Sequence, residues 1–291
     1  MNLLKPISSA PPSTGALQLI NSINRFSYIL RLLAFLIQLR FLRQRRSINA
    51  FAIDSVILCL SNELMSFLLY GVQYKILKIP NEANKLRYPL LFKGNNTFPR
   101  ISSFTLLINL AIVVTLLLTA KQYHRLIKTE NIFQGVSKTM CIYITTLIST
   151  AFIVKIISTH ENNLKYNFNN CDYYELVDLM KNYLLDPVVL FPQVSLSFMS
   201  QSCTGVSELF IYLISASNLI SIFSSWLFFK DEKLYMGWYL IDINTPSLFS
   251  SIVQLLCCFL IILQMVFAYK NHKANVPLKI DAIEEKKLRN E

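Results

Sequence analysis

Charge is what this chain has least of. Of its 291 residues only 15% are Asp, Glu, Lys or Arg, while 53% are hydrophobic, and the mean hydropathy is +0.43. One soluble core could not absorb that surplus of apolar side chains. Glycine is also scarce, with 6 residues, which excludes collagen-like and Gly-rich low-complexity chains. No GxxxxGK[ST] run is present, so ATP-driven pumping has no support. The 3 histidines, His124, His160 and His272, fall in expected loops or the tail. They form neither an HExxH pair nor a Ser-His-Asp grouping, so no enzyme, no cofactor and no metal site is expected. The 6 cysteines, at 59, 141, 171, 203, 257 and 258, show no CxxC spacing and read as small apolar residues.

What is abundant is apolar length. A membrane-crossing helix needs about 20 mostly apolar residues. Seven stretches meet that need: 17–39, 50–72, 101–120, 136–157, 183–198, 206–229 and 247–269. The fold class expected is therefore an all-α polytopic membrane protein with seven transmembrane helices. The opening 14 residues are polar and Pro-rich, without the basic and apolar regions of a cleaved signal, so the first helix is expected to act as its own signal. The connections are polar, the longest being 75–100 and 159–181. After Tyr269 the tail mixes six Lys and Arg with acids and reads as a solvated end.

The net charge of +11 sits between apolar runs, the pattern of juxtamembrane charge, so no nucleic-acid partner is expected. Arg40, Arg43, Arg45 and Arg46 follow the first helix, and Lys121, Arg125 and Lys128 follow the third. By the positive-inside rule that side, with the basic tail, is cytosolic and the N-terminus lumenal. The triplet Asn95-Asn96-Thr97 is a glycosylation sequon on the expected lumenal side.

A shift of 155 residues lays Gln38 on Gln193 and Ser47 on Ser202. In both copies an apolar helix runs into Gln, a polar stretch ends at Ser, and a second apolar helix follows. The layout divides the chain into a polar segment 1–16, a first three-helix repeat 17–120, a linker helix with its loops 121–182, a second repeat 183–270 and a charged tail 271–291. The second copy reads Phe191-Pro192-Gln193, then Ser202-Cys203-Thr204-Gly205-Val206-Ser207, then Phe210 and Asn218. It resembles the PQ-loop repeat family, which embraces cystinosin, vacuolar amino-acid transporters, SWEET sugar transporters and, more distantly, the KDEL receptors. The resemblance implies two parallel three-helix bundles joined by a linker helix, and transport of a small solute. Pro192 is expected to kink the fifth helix as a hinge and leave a carbonyl free at membrane depth. Gln193 is expected to bond a neighbouring helix, and Gly205 to supply a backbone geometry other residues resist. The first repeat has Ile37 where Pro is expected.

Ionisable groups inside a bilayer are costly and need a reason. Glu63, beside Asn62 midway along the second helix, is the strongest candidate for a substrate or proton site, alone or paired with Arg31 or Lys155. Asn218 lies at a similar depth in the sixth helix, among Ser215, Ala216 and Ser217. Asp54, Asp186 and Glu208 read as helix-N-terminus acids, and Asp242 as a loop acid. The function expected is a small-solute carrier working by alternating access, amino acid rather than sugar, in the vacuole or lysosome, Golgi or ER. Its partners are the bilayer, a small polar solute, protons and, in a homo-oligomer, further copies of the chain. The alternative is a KDEL-receptor-like or other trafficking or lipid-regulating protein without transport. Arg25 resembles a basic residue of the KDEL receptors, but Ser61-Asn62-Glu63-Leu64 stands where their Arg-Tyr-Leu-Asp would be, and Asn218 replaces a later basic residue.

Overall fold

The structure is a computed structural model that describes residues 14–78, 103–160, 170–230 and 247–269. Asn95, Asp242, His272 and the basic tail lie outside the described residues. Among the described residues the protein is all-helical, without a strand. The helices are α1 (Thr14–Arg45), α2 (Ile53–Lys78), α3 (Ser103–Arg125), α4 (Lys138–His160), α5 (Asn170–Leu179), α6 (Phe191–Ser200), α7 (Glu208–Lys230) and α8 (Leu248–Leu263). Five spans are long and apolar enough to cross a membrane: Ile53–Gly71, Ser103–Arg125, Lys138–Ile156, Glu208–Leu227 and Leu248–Ala268. α1 is 32 residues long but carries Asn21, Asn24, Arg25 and Arg31, which lower its hydropathy.

The distribution of polarity is inverted relative to a soluble protein. Leu107, Leu110, Val114 and Leu117 form an exposed stripe on α3, and Phe249, Ile252, Leu256 and Phe259 another on α8. Asn24, Gln38, Glu63, Asn109, Asp186, Gln193 and Gln254 are meanwhile all buried. Apolar surface outside and hydrogen-bonding groups inside is the arrangement a bilayer demands.

α3 packs against both α1 and α2, and α8 packs against both α7 and the segment 180–200. α1 lies along α7, where Ser27 and Ser217 exchange side-chain-to-carbonyl hydrogen bonds of 3.0 Å and Phe35 meets Phe210 at 5.9 Å. α2 packs against α5, α6 and the irregular stretch between them. α4 stands outside, touching α2 and α5.

The stretch expected as a fifth helix over 183–198 is a longer, broken one. α5 passes into a wide π turn, Met180–Leu185, then a 3-10 turn, Asp186–Val188, before α6 begins. Pro187 and Pro192 explain the break, since each removes a backbone donor and crowds the preceding turn. The break thus precedes Pro192. That residue sits in the first turn of α6, where a missing N–H costs nothing. Because the helix begins at Asn170, Asp186 is not the N-terminal acid that the sequence suggested; it is buried deep within the segment.

The loop joining α1 to α2 and the loop joining α6 to α7 meet back to back. Arg46 and Gln201, 155 residues apart like Arg31 and Asp186, both take left-handed conformations, with φ of 53° and 48°. At the contact Ala50 has φ 62°, and Gly205 lies so close that a Cβ on it would stand 2.5 Å from the backbone of Asn49, Ala50 and Phe51. Gly205 is therefore required for close approach and not, as the sequence suggested, for an unusual backbone angle. Gly205→Ala should force the loops apart and cost about 1–3 kcal/mol, the range of overpacking. Gly71→Ala, where nothing lies within 4 Å, should be neutral or stabilise by up to about 1 kcal/mol. Melting temperatures in detergent check both, and equal effects would contradict the contact.

Candidate functional site

Two buried polar stations lie between the helices. The first is built by two glutamines. Gln193, on α6, donates from Nε2 to the Ala50 carbonyl at 3.0 Å and accepts the Ala52 N–H at Oε1 at 2.8 Å. Gln38, on α1, donates to the Gly205 carbonyl at 2.9 Å and accepts the Ser207 N–H at 2.9 Å. Each amide therefore closes on the loop beyond the other one. Gln38 and Gln193, Ala50 and Gly205, and Ala52 and Ser207 are all separated by the same 155 residues as Arg31 and Asp186. An amide suits the task because it carries one donor group and one acceptor, the pair that a loop's C=O and N–H present.

The loop of residues 46–52 is also held from outside. Gln134 donates to the Ile48 and Phe51 carbonyls at 2.6 and 2.9 Å, Thr129 accepts the Ile48 N–H at 3.0 Å, and Asn131 donates to Asn49 at 3.0 Å. Asp54, in the first turn of α2, accepts the Ser137 N–H at 3.1 Å and so has a tertiary partner as well as its helix-end position. Glu208 opens α7 and is exposed, in keeping with a helix-end acid.

The second station gathers around the break at 180–190. Arg31 pairs with Asp186 at 3.2 Å and donates to Gln254 Oε1 at 3.2 Å. The Asp186 carboxylate also accepts Asn62 Nδ2 at 2.9 Å and the Ser250 hydroxyl. A charge-assisted pair whose carboxylate receives three donors is the form in which buried ions are tolerated. The freed backbone of the break is satisfied from neighbouring helices. Gln254 donates to the Asp186 carbonyl at 2.7 Å, Tyr143 to the Leu184 carbonyl at 2.7 Å, and Ser247 to the Asn182 carbonyl at 3.0 Å.

Glu63 stands in the same cluster, within electrostatic reach of Arg31, Lys181 and Asp186. With Tyr28, Asn62 and Ser66 these groups enclose a narrow polar crevice, too tight as it stands for a free water. Glu63 is 4% exposed, yet no described residue donates a hydrogen bond or forms an ion pair to it. Of the partners considered for it, Arg31 is nearby but committed to Asp186, while Lys155 lies over the Tyr173 ring at 4.8 Å.

Of the residues singled out from the sequence, Asn62 and Glu63 belong to the charged cluster, and Gln38, Gln193 and Gly205 to the clamps. Asn218 does not line the cluster. It is buried on α7 with its Nδ2 unpartnered, next to the Ser217 that meets α1. Sequence reasoning missed Asp186, Lys181, Ser250 and Gln254 as site residues. Lys181 had read as part of a polar connection, but it is 3% exposed within the π turn. Two signals were available: the shift of 155 lays Arg31 on Asp186, and Ser247, Ser250, Ser251 and Gln254 form a polar stripe at helical spacing on α8.

No family model matches the chain. It is similar to an uncharacterized Saccharomyces cerevisiae protein, YCL002C, with 25% identity over 260 residues, covering 85% of this chain and 94% of the yeast protein. That protein's description names no activity, so the likeness brings none to this chain.

Proposed function

We propose that this chain is a PQ-loop-type carrier of a small polar solute, an amino acid rather than a sugar, working by alternating access in an endomembrane. In this reading residues 17–120 and 183–270 are two three-helix repeats joined by α4, crossing the membrane seven times with the N-terminus lumenal and the C-terminus cytosolic. The reciprocal glutamine bonds support the repeats, since two unrelated helix pairs have no reason to place matching bonds at one constant spacing.

The observation that carries the functional reading is Glu63. A carboxylate buried in an apolar span and left without a hydrogen bond is expensive, and a stable scaffold would gain by replacing it. A carrier has a use for it, because a proton or solute can take up the missing bond in one phase of the cycle. The Arg31–Asp186 pair beside it is internally balanced and ties α1 to the break. The two clamps close the loop end of the interior, and their release would open it.

The tests separate architecture from activity. Gln38→Leu and Gln193→Leu should each strand a buried N–H and C=O and destabilise the protein by about 1–3 kcal/mol. A loss from only one of them would count against equivalent repeats. Tags at the N-terminus and after Glu291 should be protected on opposite faces of sealed vesicles, as an odd number of crossings requires. Glu63→Gln keeps shape and hydrogen bonding while removing the titrating charge. In proteoliposomes it should fold to wild-type levels and lose the pH dependence of amino-acid uptake. Unchanged uptake at every pH would remove Glu63 from the mechanism.

A further inference from the structure

Beneath the charged crevice lies a second, apolar hollow. Phe35, Val56, Cys59, Leu116, Leu190 and Phe210 line most of it, while Thr119, the two clamp glutamines, Gln38 and Gln193, and the Ser55 hydroxyl, which is buried without a partner, border it. The compartments are stacked. Arg31 and Phe35 on α1, Glu63 and Cys59 on α2, and Asp186 and Leu190 in the broken segment each step from the polar station to the apolar one in a single turn, roughly 6 Å of rise.

The hydrogen-bonding balance of the polar compartment says what would complete it. Arg31 donates to Asp186 and Gln254, Asn62 Nδ2 and Ser250 donate to Asp186, and Ser66 donates to the Asn62 carbonyl. Besides the Tyr28 hydroxyl, which can donate or accept, the groups left over are Asn62 Oδ1, buried without a partner, and the Glu63 carboxylate. The last two are acceptors only, and one carries negative charge. A group rich in N–H and positively charged satisfies them, which describes an ammonium.

A zwitterion carries no net charge, so its entry leaves the balance of the buried charges unchanged. The cavity one turn away suits a side chain without polar atoms. A sugar's several hydroxyls would outnumber the one open partner there, Ser55 Oγ, and a basic or acidic side chain would place a charge against Phe35 and Phe210. In the described conformation that cavity has free room for about two waters, so a side chain enters it only when the clamps loosen.

Resting on the carrier reading above, we infer that the solute is an α-amino acid with an aliphatic or aromatic side chain, its ammonium held by Glu63 and Asn62 Oδ1 and its side chain seated in the apolar cavity between the two glutamine clamps.

The experiment uses the full-length protein in lipid nanodiscs, with binding read by calorimetry and flux by uptake into proteoliposomes. L-phenylalanine and L-leucine should bind at least 10-fold more tightly than phenylpropionate, which lacks the ammonium, and than L-lysine or glucose. Glu63→Gln should weaken L-phenylalanine at least 10-fold without lowering the melting temperature. Val56→Phe should fill the cavity and abolish L-phenylalanine binding while sparing L-alanine; if that variant does not fold, the Glu63→Gln arm decides. Equal binding of phenylpropionate or glucose, indifference of L-phenylalanine to Glu63→Gln, or no binding of L-phenylalanine or L-leucine overturns the inference. Flux of L-lysine or glucose with no binding of L-phenylalanine keeps the carrier and removes this substrate class. Binding of L-phenylalanine without flux keeps the site and removes the carrier.

Discussion

A backbone carbonyl buried among helices has no water to turn to, and the segment between α5 and α6 is where this protein meets that constraint most directly. The two prolines and the π turn release carbonyls from the helical ladder, and side chains of α4 and α8 take them up: Tyr143 at Leu184, Ser247 at Asn182, Gln254 at Asp186. Irregular buried backbone is tolerable only when neighbours supply donors at the right places. The break in turn places Asp186 and Lys181 in the interior. A continuous helix, with about 100° between successive residues, would orient them differently.

The glutamine exchange is governed by the same scarcity. Each amide replaces the water that a loop's N–H and C=O would otherwise use, and does so across the contact between two halves of the molecule. Neither Leu nor Glu could do this: Leu offers no polar atom, and an ionised Glu offers no donor to the carbonyl. Such bonds are modest in net free energy when made and costly when left open. Parting the clamps would therefore need water to enter at this end.

Electrostatics in the second station divides the charged groups into two kinds. Arg31 and Asp186 satisfy one another and are held by Gln254, Asn62 and Ser250, so their contribution is to hold α1, α2, α8 and the break in register. Glu63 shares their surroundings without sharing their bonds. Breaking the first pair would expose an uncompensated buried charge, whereas neutralising Glu63 removes a cost. That difference in energetic role makes the pair part of the framework and sets the lone carboxylate apart from it.

The all-helical membrane character was legible in the sequence because it depends on composition and on apolar length, both local properties. Helix ends were placed within a few residues where a polar loop adjoins an apolar run, as at Glu208 and Leu248, and misplaced at Asn170, where polar residues continue into a helix. Gln38 and Gln193 stood out through the spacing of 155 residues, Gly205 through the Ser-Cys-Thr-Gly-Val-Ser element, and Glu63 through charge in an apolar run. What the letters did not convey was who bonds to whom. Asp186 read as a helix-end acid until the helix was seen to begin 16 residues before it, and Lys181 as a loop cation. Gln254 and Ser250 were polar residues of unknown direction on α8. The hand-over between Gln38 and the loop of Gly205, and between Gln193 and the loop of Ala50, depends on two backbones approaching within reach of one amide. That distance is a property of the packed helices, and no local stretch of sequence contains it.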